Sequence, residues 1–261
     1  DERRRCGAGC SQVLWSLNGS TCPAFATNPS CTEKYSTHVF TERAVSVIQS
    51  HANLSQPIFV YLAFQAVHAP DQVPQTYRDR YAGAIHTEKR ITFGGMISAA
   101  DDGIGNVSNA LAARGMDKRL VTIVTTDNGG PSDQGPGTRC PKMSYCTGTG
   151  TSNWPLRGGK HTLWEGGVRG TALIHSRSLL PLTKPVNFSS LMHVSDWLPT
   201  IRALVSSGGD SGPVYRPSAS SAVGSASNGW KLDGVSQWDA ILAAAAGGGK
   251  EEAQSKAPPP R

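Results

Sequence analysis

Apolar, β-branched residues fall in short runs along this chain, and each run ends at a polar turn. Leu120–Thr125, LVTIVT, reads as a buried strand and stops at Asp127-Asn128-Gly129-Gly130. The paired glycines tolerate backbone angles that other residues avoid, so a tight turn follows. Pro57–Phe64, PIFVYLAF, predicts a second buried strand and runs into Gln65-Ala66-Val67-His68-Ala69-Pro70, which places His68 just past a strand end. Val168–His175 predicts a third strand.

Helical spacing separates these runs. Thr41 is a candidate cap for a helix whose apolar positions Ala44, Val45 and Ile48 share a face. Residues 71–90 are polar and predict a connection with at most a short helix. Ile97, Ala100, Ile104, Val107 and Leu111 predict a longer helix, with Gly115 at its C-cap. Asp196 is a candidate cap for a helix through Leu204, with Pro199 in its first turn. Helix, strand and turn in alternation are the grammar of a layered α/β fold. Pro131–Asn153 is a long glycine-rich loop, and loops of that length tend to be functional or mobile. Residues 206–229 form a Ser/Gly-rich linker, 230–245 a docked C-terminal segment, and 246–261 a disordered low-complexity tail.

Composition narrows the class. The 261 residues carry a net charge of +6, dispersed except for Arg3-Arg4-Arg5, so anionic partners are favoured without a nucleic-acid-binding patch. Cys6, Cys10, Cys22, Cys31, Cys140 and Cys146 form no CxxC pair, which favours disulfides in an oxidising compartment over structural zinc. The sequons at Asn18, Asn53, Asn106 and Asn187 agree with a secretory route. No apolar run approaches membrane-spanning length and no signal peptide opens the chain.

The candidate chemistry sits at strand ends and in glycine-rich loops. Asp127 and Asn128 offer a carboxylate and an amide carbonyl, hard oxygen ligands suited to calcium or magnesium. The same four residues equally make a plain β-turn. His68 is either a catalytic imidazole or a structural residue. Lys160 follows two glycines that let its backbone approach a ligand, or it is a solvated loop lysine. Arg157, His161 and Arg169 add positive field nearby, although Arg169 also pairs in register with Glu165.

Taken together these motifs are more specific. AVHAP after a strand, TTDNGG after a strand, WPLRGGK, LWEGGVRG and HVSDWLPT follow one another along the chain. In that order they resemble the sulfatase family, and within it the arylsulfatase B type, from about Cys10 to Trp238. The resemblance implies an alkaline-phosphatase-like layered α/β fold with a mixed sheet flanked by helices. It implies that Asp127 and Asn128 are ligands of a single divalent cation, usually calcium. It implies that His68 contacts the sulfate ester near the leaving oxygen and that Lys160 binds the sulfate. A disulfide between Cys10 and Cys22 is implied in the same way. Cys140 and Cys146 lie in an insertion, and their spacing alone suggests a local clip.

The departures are equally specific. Sulfatases carry a C/S-x-P-x-R motif whose Cys or Ser becomes formylglycine, and no such motif occurs here. Cys140-Pro141-Lys142 has its proline one position early, and Ser211-Gly212-Pro213 has Arg216 one position late. The family's paired aspartates and lysine-x-histidine pair are absent as well. Residues 1–205 are therefore expected to be part of a sulfatase catalytic domain, incomplete at its N-terminal side. The expected function is sulfuric ester hydrolysis, with a sulfate ester substrate such as a sulfated glycosaminoglycan. A chain lacking the nucleophile is expected to be inactive alone. A non-catalytic binder of sulfated glycans or of a partner protein is the alternative. The expected location is lysosomal or secreted. Poor solubility is expected where strand edges are uncovered.

Overall fold

A computed structural model describes residues 35–69, 71–131, 150–180, 182, 185–207 and 232–246. The chain divides into two compact units, residues 1–118 with 122–174, and residues 119–121 with 175–261. All six cysteines, Asn18, the predicted linker from 208 onward and the tail from 247 lie outside the described residues.

The first unit is built on helices. α1 (Ser36–Ser50) and α2 (Gln75–Asp79) both pack on the long α3 (Glu88–Ala113). α1 begins five residues before the predicted cap: Thr41 lies inside the helix, and its hydroxyl donates to the Thr37 carbonyl at 2.7 Å. A threonine hydroxyl that bonds back to the carbonyl four residues earlier sits inside the helix and caps no N–H group. Ala44 and Ile48 are buried as the periodicity predicts, while Val45 is half-buried. α3 ends as its glycine predicts. Gly115 takes φ 68°, its N–H donates to Ala112 O at 2.8 Å, and Met116 N–H reaches Leu111 O at 2.9 Å. This is the paired bonding of a Schellman terminus.

The buried face of α3 differs from the predicted one. Thr92, Gly95, Met96, Ala99, Gly103, Ala110 and Leu111 face inward, whereas Ile97 is 47% exposed. Small residues share the inward face with Met96 and Leu111, and at the glycines neighbouring side chains press against the helix backbone. A Cβ on Gly95 would stand 2.9 Å from Val73 Cγ1, and one on Gly103 would stand 2.6 Å from Thr41 Oγ1.

Polar ties complete the helical layer. Arg80 pairs with Asp102 at 2.8 Å and stacks over Tyr77, joining the end of α2 to α3. Tyr81 and Ser98 hydroxyls meet at 2.6 Å. The Arg80 guanidinium holds the Asp102 carboxyl below its ordinary value of 3.8. A depressed carboxyl contributes stability above that ordinary value and loses it as pH falls through the lowered one. Asp102→Asn should therefore lower the melting temperature slightly at neutral pH, by little because the pair is exposed, and the difference between the two proteins should vanish below about pH 4. Melting temperatures of both proteins across an acid pH series check this.

The sheet is smaller than expected. β1 (Thr122–Thr125) pairs with β2 (Ala172–His175), and the described residues form this two-stranded sheet rather than the predicted mixed sheet. Thr126 N–H donates to Thr171 O at 2.9 Å, so the end of β1 meets the start of β2 and the strands run antiparallel. β1 is half-buried rather than buried. β2 starts four residues later than predicted, because Val168 instead ends a one-turn helix, α4 (Glu165–Val168). Pro57–Phe64 is not a strand, and among the described residues no backbone hydrogen bond ties it to a neighbour. A strand exists only through its ladder partner. Phe59 and Tyr61 are accordingly 76% and 83% exposed, while Phe64 turns in against Gly103.

In the second unit, α5 (Trp197–Ser207) packs on α6 (Trp238–Ala246). α5 runs two residues into the predicted linker, and α6 one residue into the predicted tail. Asp196 is not itself the N-cap. His193 is, at the head of a 3-10 turn over Val194–Asp196 that leads into α5. One Asp196 carboxylate oxygen accepts from His193 N–H at 2.8 Å and the other from Val235 N–H at 2.8 Å. Pro199 and Trp238 are buried in this unit.

Candidate functional site

The turn after β1 exists because Gly129 and Gly130 leave room for a second loop. Gly129 N–H donates to Gly167 O at 2.9 Å, and Lys160 N–H donates to Gly130 O at 3.0 Å. Asn153 closes the contact like a peptide unit of a sheet. Its Oδ1 accepts from Gly130 N–H at 3.0 Å, and its Nδ2 donates to Gly130 O at 2.8 Å and Gly158 O at 3.1 Å. Asn153 was missed in the sequence. Its only signal is a residue able to donate and accept, placed at the edge of a glycine-rich loop. Two of the three predicted loops, those of Asp127-Asn128 and Lys160, are thus brought together.

The side chains of the turn are set up by local bonds. Asn128 N–H donates to Asp127 Oδ1 at 2.8 Å, and Asn128 Nδ2 donates to Gly129 O at 2.9 Å. Asp127 Oδ2 and Asn128 Oδ1 are left without a hydrogen bond among the described residues. Two unspent oxygens on adjacent residues fit a hard divalent cation and fill part of its shell. Among the described residues, no group of three or more His, Cys, Asp or Glu side chains is gathered for a metal ion.

Lys160 is half-buried, and none of the ion pairs found among the described residues includes it. His161 follows it at φ 74°, a left-handed angle uncommon outside glycine, which turns the chain directly after the lysine. Arg157 stacks over the Trp164 ring at 3.6 Å. Arg169 pairs with Glu165 at 3.2 Å, the structural bridge that was one of its two readings.

The hydrogen bonds of His68 are local to its own loop. The residue is exposed, its Nδ1 lies 2.8 Å from Ala69 O, and its backbone N–H donates to Gln65 O at 2.9 Å. Its charged neighbour is Asp71, whose carboxyl is pushed up by burial against the opposing pull of Lys89 and His68. Among the described residues no hydrogen bond or ion pair links His68 to the Asp127 turn or to Lys160.

A cavity of about 450 Å³ lies apart from these loops, between α1 and α3. His38, Glu42, Tyr77, Asp101 and Asp102 line it, and its carboxylates repel an anion such as sulfate.

The Asp127-Asn128 turn and the Lys160 loop are held against each other by backbone hydrogen bonds. The comparisons name the class. The sulfatase family model matches residues 6–207, and the chain belongs to the sulfatase family. It is 36% identical to arylsulfatase J of Mus musculus over 170 residues, covering 65% of this chain and 25% of that protein. It is 27% identical to N-acetylgalactosamine-6-sulfatase of Homo sapiens over 159 residues, covering 61% and 27% respectively. Among solved structures it resembles Ps i-CgsB, crystallised in complex with k-i-k-neocarrahexaose. There the TM-score is 0.61 and the identity 27%, over 82% of this chain and 40% of that one. The chain thus spans about a quarter of the length of the curated relatives it matches.

Proposed function

We propose that this chain carries part of the active site of a sulfuric ester hydrolase of the arylsulfatase B type, acting on sulfated glycans. The observation that carries the reading is the clasp between the Asp127-Asn128 turn and the Lys160 loop, closed by the 3.0 Å bond from Lys160 N–H to Gly130 O. The whole molecule to which it corresponds has an alkaline-phosphatase-like layered fold with a mixed sheet, a reading supported by the likeness to Ps i-CgsB. Its cysteines and sequons support a lysosomal or secreted protein.

In this reading Lys160 pairs its ammonium with the non-bridging sulfate oxygens. His68 delivers a proton to the leaving oxygen as the S–O bond breaks, where negative charge develops. Asp127 and Asn128 hold one divalent cation, calcium, through the two oxygens their own turn leaves unspent. Bound there, calcium supplies positive charge against the sulfate oxygens. The nucleophile is not among these residues, since no C/S-x-P-x-R motif occurs, and the chain alone does not turn over.

Two measurements test this. In calcium titration by calorimetry, Asp127→Asn should weaken binding by at least about tenfold, since ligand charge sets affinity at oxygen sites. Equal affinity in both proteins removes Asp127 from the ligand set. In an aryl sulfate assay with calcium, the chain should show no turnover above a His68→Ala control. Turnover above that control overturns the reading of the chain as incomplete.

A further inference from the structure

We propose that the loop from Trp154 to Trp164 is a sugar subsite beside Lys160, shaped for a neighbouring sulfated residue of a polysaccharide. The proposal rests on the reading of Lys160 as a sulfate-binding lysine and adds to it the residues that select a polymeric substrate.

Three observations carry it. Trp154 is 87% exposed although the residue before it, Asn153, is fixed by three hydrogen bonds. The indole is therefore held at its root while both ring faces meet water. Arg157 stacks on Trp164 at 3.6 Å and lacks a carboxylate partner among the described residues, in contrast to Arg169, which Glu165 occupies. The loop is closed at its base. Gly166 N–H donates to Arg157 O at 2.8 Å, and Lys160 N–H donates to Gly130 O at 3.0 Å. Trp154, Arg157 and Lys160 thus follow one another at three-residue intervals in a single braced loop.

The chemistry of these groups selects the ligand. The electron-rich face of an indole attracts the C–H-lined face of a pyranose ring. A guanidinium laid flat on an aromatic ring keeps its N–H edge directed outward, and that planar fork matches two oxygens of a sulfate. Lys160 adds a point charge for another sulfate. A small aryl sulfate has one anion and no second ring, so it uses Lys160 alone. A sulfated polysaccharide offers alternating C–H faces and sulfates, and uses all three groups.

The test is binding by the full chain of a chondroitin 4-sulfate hexasaccharide, its desulfated counterpart and inorganic sulfate, with melting curves confirming that each variant is folded. Trp154→Ala should weaken the sulfated hexasaccharide about tenfold, as loss of one stacking platform does, and leave inorganic sulfate unchanged. Arg157→Lys keeps the charge but loses the fork. It should weaken the sulfated hexasaccharide and leave the desulfated one unaffected. Lys160→Ala should weaken both sulfated ligands. If Lys160→Ala weakens both while Trp154→Ala and Arg157→Lys bind the hexasaccharide like the wild type, the subsite is overturned and the sulfate lysine stands. If Lys160→Ala changes neither, the reading of the lysine falls. A wild-type chain that binds the hexasaccharide no tighter than inorganic sulfate also overturns the subsite.

Discussion

Gly129→Ala should lower the stability of the first unit by about 2–3 kcal/mol and release the Asp127-Asn128 turn from the lysine loop. A Cβ on Gly129 would stand 1.8 Å from Gly166 O and 2.8 Å from Gly166 C. Both are backbone atoms, so no side chain can rotate aside. Gly166 cannot retreat either, because its own Cβ position lies 2.2 Å from Gly158 O. The loops must separate, and the Gly129–Gly167, Gly130–Asn153 and Lys160–Gly130 hydrogen bonds go with them. Hydrogen exchange at the amides of Gly129, Gly130 and Lys160 should accelerate together. Gly83→Ala is the control. Gly83 also sits at a turn, with φ 81° but nothing within 4 Å of its Cβ position, so only backbone strain of about 1 kcal/mol applies. Thermal melts of the two variants that coincide would show that the clasp is not tight.

The halves of this clasp were legible in the sequence because each is announced by glycine. TTDNGG stops a β-branched run, and GGK precedes a tight turn. Their contact was not legible. It is made by backbone atoms and by Asn153, whose role depends on a partner twenty-three residues away in the chain. The position of His68 was not legible for a similar reason. A histidine past an apolar run is recognisable, but which loops surround it depends on how the run is paired. Among the described residues Pro57–Phe64 has no ladder partner. Hydrophobicity marked that segment as apolar on both faces, which suits a strand covered on both sides. Tyr61 is exposed, while Phe64 packs on α3.

The inner face of α3 shows how size misleads a periodic reading. Ile97, Ala100, Ile104, Val107 and Leu111 are larger on average than Gly95, Ala99 and Gly103, and a hydrophobic pattern favours the larger set. Packing buries Gly95, Ala99 and Gly103 together with Met96 and Leu111, because Val73, Thr41 and Phe64 come close where side chains are absent. Two glycines of the same helix separate the explanations. Gly103→Val should destabilise the unit by about 3 kcal/mol. Its Cβ would stand 2.6 Å from Thr41 Oγ1 and 3.1 Å from Phe64 Cζ. Thr41 is buried, and its hydroxyl already donates to Thr37 O at 2.7 Å, so rotating it away leaves a buried donor unsatisfied. Gly105→Ala, two residues on, has nothing within 4 Å of the new methyl and removes the entropic penalty of glycine in a helix. It should stabilise the unit by about 0.5–1 kcal/mol. Opposite signs in the two urea midpoints are the expected result. If both substitutions stabilise, α1 does not rest on this face of α3, and the larger residues regain their claim to the interior.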